Sequence, residues 1–204
     1  MDFPKTIHDF GGFPEELYKV QYPAPGNPLL ARDLAQMVKS AEVEMDHDWG
    51  LDHGTWTIIR HMYPEANIPV LQLSIDYTRE GKFHFELAKE MQQLREKGVL
   101  IIGSGNMVHN LRVVDWAKLN EPGYGYDWAL EMNSTFKKLI MNGLYEDLIH
   151  YDHLGTVGQL AIPTPEHYLP LLYSLGASNS KDAIEFFNDK AMGGSLTMTS
   201  VKFG

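Results

Sequence analysis

There is no cysteine among the 204 residues. Disulfides, thiolate metal sites and cysteine nucleophiles are therefore excluded. Any metal must be held by imidazole, carboxylate or water, a donor set that suits iron, zinc or manganese. No apolar run reaches the roughly 18 residues that a membrane-spanning helix needs. The start, Met1-Asp2-Phe3-Pro4-Lys5, lacks the apolar core of a signal peptide, so a cytoplasmic protein is expected. Positive charge is scarce: 17 Lys and Arg stand against 27 Asp and Glu, a formal charge of −10. That excess argues against a nucleic-acid partner and against an anionic membrane surface, since both require clustered cations.

What is present is ordinary for a globular protein. Hydrophobic residues make up 44%, enough for a sizeable core. A single domain over 1–204 is expected. Residues 1–27 are rich in Gly, Pro and aromatics and read as an ordered loop. Helices are expected over 28–40, 55–62, 84–97, 127–141 (with Asp127 as N-cap) and 164–175. The apolar runs 68–75 and 99–102 read as buried strands, and 195–203 alternates as a half-buried strand does. Strand, helix, strand across 68–102 is a βαβ unit. The expected class is α/β, with a mostly parallel or mixed central sheet flanked by helices.

Nine histidines with no cysteine direct attention to imidazole. His109 lies in Gly103-Ser104-Gly105-Asn106-Met107-Val108-His109-Asn110-Leu111, just past the carboxyl end of the 99–102 run, where open α/β sheets bind ligands. The plainer reading is a tight turn with a capping His. His167 lies in Pro163-Thr164-Pro165-Glu166-His167-Tyr168, where Thr164 and Pro165 read as a helix start. The positive helix end would keep the ring neutral, as a metal ligand must be. Glu166 is the rival ligand, and a surface His at a helix start is the plainer reading. His53, in Leu51-Asp52-His53-Gly54, is either a site residue or a loop residue. His47 competes with it, and Asp48 or Asp52 is expected to orient an imidazole. His61, His84, His150 and His153 are read as structural, with Asp152-His153-Leu154-Gly155 a turn.

Taken together, His8-Asp9-Phe10-Gly11-Gly12-Phe13-Pro14, Tyr22-Pro23-Ala24-Pro25-Gly26, Leu51-Asp52-His53-Gly54, Gly105-Asn106-Met107-Val108-His109-Asn110-Leu111 and Pro163-Thr164-Pro165-Glu166-His167-Tyr168 resemble the 4,5-DOPA extradiol dioxygenase family, within the class III extradiol dioxygenases. The match runs in order along essentially the whole chain. It implies an α/β sheet between helices and one divalent metal per chain, Fe(II) for turnover or Zn(II) as bound. His167 matches a metal ligand of the family. His109 matches an active-site His read as an acid/base and sometimes as a further metal contact. His53 matches a second His at the substrate pocket. The family's other ligands lie in His-Gly-Ser-Pro and Ser-Ala-His-Trp motifs of an N-terminal strand–helix–strand unit. Neither motif occurs here, so the domain is expected to be incomplete at its N-terminus, without its first strands.

The implied partners are a small catechol such as L-DOPA and O2, with self-association through uncovered sheet. His109 is expected to take and return a catechol proton. His53 is expected to hydrogen-bond a substrate hydroxyl, and Phe13, Tyr18 and Tyr22 to wall the pocket. Two rival functions remain on the sequence: a zinc hydrolase built on His167, Glu166 and His109, and a non-catalytic binding protein.

Overall fold

Contacts gather the chain into two units, Met1–Ser74 and Ile75–Gly204. The structure is a computed structural model and describes residues 1–204.

In the first unit the Gly- and Pro-rich start is ordered by backbone pairing. Ile7 N–H donates to Leu51 O and Leu51 N–H to Lys5 O, both at 2.7 Å, around a parallel bridge between Thr6 and Leu51. The two segments pass so close that a Cβ on Gly50 would overlap the Lys5 carbonyl. After the single turn α1 (Glu15–Tyr18), α2 spans Pro28–Met37 under an Asn27 cap, and α3 spans His53–Met62. Helix α3 starts two residues before the expected Thr55, because the Asp52 carboxylate accepts from Thr55 N–H and caps it. Trp56 is buried on α3, and its indole N–H reaches Ile7 O at 2.8 Å.

In the second unit α4 spans Gly81–Met91 and tightens into a 3-10 segment at Gln92–Lys97, ending at Gly98 with φ +76°. Helix α5 covers Asp127–Met141 as expected, burying Ala129, Met132, Phe136 and Ile140. Its cap position is Tyr126, and Asp127 is the first helical residue. Three short elements that the sequence pattern did not announce follow: α6 (Tyr145–Ile149), a 3-10 turn at Tyr151–His153, and α7 (Gly155–Ala161).

The expected helix over 164–175 begins later. Residues Pro165 to Tyr168 form a turn, and α8 spans Leu169–Ala177 with Pro170 in its first turn. Pro170 has no N–H to give, so the first turn is where it fits without loss. Inside a helix begun at Pro165 it would break the ladder.

The paired strands are β1 (Ile184–Phe187) with β4 (Ser200–Phe203) and β2 (Ala191–Met192) with β3 (Leu196–Thr197), both antiparallel. The expected strand 195–203 is thus split between two ribbons. Residues 68–75 and 99–102 have no strand partner, and Leu100 (59% exposed) and Ile102 (41%) face outward. An apolar run becomes a strand only when a neighbour supplies the ladder. Parallel pairing here is limited to single bridges such as Gly125 with Gly194.

Candidate active site

The second unit brings His109 and His167 together. Residues 103–106 run against the turn that carries His167. A Cβ on Gly105 would overlap the His167 carbonyl oxygen, and one on Gly103 the Pro170 carbonyl oxygen. Asn106 N–H donates to that same His167 oxygen at 2.7 Å. The glycines are therefore required by close backbone approach. His109 is fixed from two other sides. Its N–H donates to Ala161 O at the end of α7 at 2.9 Å, and it forms an antiparallel bridge with Leu196 of β3. Asn110 is buried beside it, donating its side-chain N–H to Leu160 O and accepting Ser195 Oγ–H at its carbonyl.

The result is two imidazoles stacked face to face, with centroids 3.7 Å apart and planes 10° apart. Burial, and then the neighbouring His167 ring, push His109 down to about 4, so it is neutral at pH 7. Glu166 Oε1 lies 3.4 Å from His167 Nδ1 and accepts the Thr164 hydroxyl at 2.6 Å. Partial burial works to raise the Glu166 carboxyl, but the Thr164 hydroxyl, backbone N–H and His167 outweigh it and hold it below the usual value. His167 Nδ1 is itself buried without an aligned hydrogen bond. With Nδ1 turned to the Glu166 carboxylate, Nε2 is the nitrogen left to bind a ligand, and an all-imidazole and carboxylate surrounding suits a divalent metal. An imidazole lone pair lies in its ring plane, so two nearly parallel rings do not aim at one point. As arranged, the pair offers one ion a single imidazole and leaves the other free beside it.

His53 belongs to the first unit. The sequence suggested Asp48 or Asp52 as its partner, but Asp9 takes that place. Asp9 Oδ1 accepts His53 N–H at 2.9 Å and lies 2.9 Å from Nδ1. Asp52 is engaged instead with the α3 cap and with Gln72, whose side-chain N–H donates to it at 2.7 Å. Partial burial pushes the Asp9 carboxyl up, and the contacts from His53 more than reverse this. The signal was available in His8-Asp9-Phe10, since Phe10 also packs edge-on against the His53 ring at 5.7 Å. Of the expected wall residues, Phe13 and Tyr18 are exposed beside Phe10. Tyr22 is core, its hydroxyl bound to Tyr63 O at 2.8 Å.

Among the histidines read as structural, His84 is fully buried with Nδ1 3.0 Å from the Tyr173 hydroxyl. His150 and His153 are exposed and gather with Asp152, the three donor atoms within 4.8 Å of one another. Two recesses of the second unit, of about 300 and 650 Å³, are lined by residues other than His109 and His167. No helix is long and apolar enough to cross a membrane.

A family model described as the catalytic LigB subunit of aromatic ring-opening dioxygenase matches residues 2–203. The chain is 46% identical over 209 residues to a protein of Escherichia coli (strain K12) named 4,5-DOPA dioxygenase extradiol, covering 100% of this chain and 75% of the relative. It is 35% identical over 214 residues to a Beta vulgaris protein of the same name, again with 100% and 75% covered. The crystal structure of an uncharacterized protein from Escherichia coli K12 superposes with a TM-score of 0.79 at 37% identity, over 98% of this chain and 81% of the other. The α/β class expected from the sequence holds, and neither rival function is favoured. The chain belongs to the LigB family of metal-dependent extradiol enzymes that open aromatic rings with O2.

Proposed function

We propose that residues 1–204 form the catalytic domain of an enzyme that opens a catechol, L-DOPA or a close relative, beside its hydroxyls at one divalent metal per chain. Fe(II) is the ion for turnover, and Zn(II) is an ion the same donors accept. The observation that carries this reading is the stacked pair of His109 and His167, with the Glu166 carboxylate 3.4 Å from His167 Nδ1. His167 would hold the metal, with Glu166 steering its ring. When bound, the metal supplies open positions for the two catechol oxygens and for O2.

His109, neutral and pinned by Ala161 and Leu196, presents a free lone pair next to the ligand ring. It accepts a catechol hydroxyl proton and returns it later in the cycle. Being fixed by backbone bonds, it needs no reorganisation to do so. His53, fastened by Asp9, hydrogen-bonds a substrate hydroxyl.

The test is oxygen uptake with L-DOPA by protein loaded anaerobically with Fe(II). Uptake of one O2 per catechol with a yellow ring-opened product supports the reading. No uptake by the wild type, or cleavage between the hydroxyls, overturns it.

A further inference from the structure

His150, Asp152 and His153 lie on the surface of the second unit, outside the residues assigned to ring opening. We infer that they form an accessory binding site for a divalent transition-metal cation of the zinc or nickel kind. The local backbone places them. Helix α6 ends at Ile149, with His150 at its cap, and the chain continues into the 3-10 turn Tyr151–His153, where His153 N–H donates to His150 O at 2.8 Å. In a 3-10 turn residues i and i+3 eclipse. His150 and His153 therefore project side by side, with ring centroids 5.5 Å apart. Asp152 Oδ2 comes within 3.6 Å of His153 Nε2.

One helical turn earlier, Glu146 Oε2 lies 3.8 Å from His150 Nε2, and His150 N–H donates to Glu146 O. Two imidazoles and the Asp152 carboxylate thus lie close together, with Glu146 beside His150. A recess of about 300 Å³ lined by Glu80, Gly81 and residues 149–153 opens at the same place. Four donors on one zinc at about 2.0–2.1 Å stand roughly 3.4 Å apart. The three donors of the group already lie within 4.8 Å. The two rings lie 13° from parallel, so as placed their lone pairs do not meet; with the side chains 47% and 75% exposed, rotation about exposed bonds turns them toward one ion and closes the difference without moving the backbone. A mixed imidazole and carboxylate set without sulfur binds first-row ions in the order that rises through nickel to copper, with zinc close behind. It is a poor site for magnesium, which prefers oxygen and water.

The group shares no residue with the pair of His109 and His167, so the two sites can be tested apart. Zinc is titrated calorimetrically into the metal-free wild type, into His150→Ala/His153→Ala and into His167→Ala. The double variant is expected to bind one zinc equivalent fewer than the wild type and to lose the corresponding zinc-induced rise in Tm. His167→Ala is expected to retain that equivalent. Equal zinc content in the wild type and the double variant, with both folded by circular dichroism, overturns the inference. A His167→Ala protein that loses no zinc speaks against the catalytic metal site and leaves this one standing. A single Asp152→Asn change should weaken the accessory site roughly 10- to 100-fold while preserving the fold.

Discussion

His109 and His167 face each other across 3.7 Å with their rings nearly parallel, so their lone pairs do not converge on one point. In the proposed function one lone pair would hold a metal and the other would take a proton. Replacing His109 by Gln should cut catechol turnover by about 10²- to 10⁴-fold, the usual contribution of a positioned acid/base. Iron content should stay at the wild-type level. Replacing His167 by Ala should remove iron and turnover together. Parallel iron analysis and oxygen-electrode assays distinguish the two, and equal iron loss in both would show that they share one task.

Gly105 tests how the pair is positioned. A Cβ there would overlap the His167 carbonyl, which already accepts Asn106 N–H. Gly105→Ala should destabilise by about 1–3 kcal/mol, as overpacking does, and should lower turnover because the His167 turn is pushed away. Gly98→Ala provides a contrast. Nothing crowds its Cβ, so its cost comes from the positive φ alone and turnover per folded molecule should not change.

Arg95 ties three parts of the second unit together. Its guanidinium donates to Ala177 O at 3.0 Å, to Asp182 Oδ2 at 2.6 Å and to Phe203 O at 3.2 Å. The Arg95 contact holds the Asp182 carboxyl below its ordinary 3.8. A depressed carboxyl contributes stability above its unfolded value and loses it as pH falls through the folded one. Asp182→Asn should therefore lower the unfolding midpoint at pH 7 and leave a shallower loss of stability below pH 4. Urea titrations across that range would show it, and an unchanged acid limb would refute it.

His84 acts in the same direction at higher pH. Burial lowers its pKa from 6.5, against smaller opposing influences from the Arg79 backbone and from Asp76, while Nδ1 faces the Tyr173 hydroxyl. The unfolded chain thus binds a proton that the folded one refuses. Stability is fully present above about 6.5 and declines as pH falls toward the folded value. In His84→Gln that part of the slope should vanish, even if the variant starts lower at neutral pH. A slope equal to the wild type's between pH 7 and 5 would sink the prediction.

Helices were the most legible part of the fold. The apolar spacing of 127–141 matches α5 to the residue, and Gly98 marks the end of the expected 84–97 segment, which starts three residues earlier at Gly81 and turns 3-10 after Met91. The His167 helix was misjudged because Thr164 and Pro165 look like a cap, whereas Pro170 decides where the ladder can begin. The strands were harder. Val99-Leu100-Ile101-Ile102 has the composition of a buried strand, but pairing is a property of two segments and one alone cannot announce it. The candidate histidines could be singled out individually. Their mutual stacking could not be, since it depends on backbone contacts made by Gly105, Ala161 and Leu196. His150 and His153 were read as structural, and their side-by-side placement follows from a 3-10 turn that has no apolar period to reveal it.

The backbone bonds that pin His109 also set a time at which the protein can begin to work. His109 is held by Ala161 and by Leu196, a residue close to the end of the chain, with Asn110 fastened to Ser195. A growing chain that has passed His109 and even His167 still lacks the ribbon against which His109 is placed. Such long-range closures come late because their loop entropy must be met first. A nascent chain that has reached His167 therefore has no formed site until the Ser195–Thr197 segment has also been made and has folded against His109.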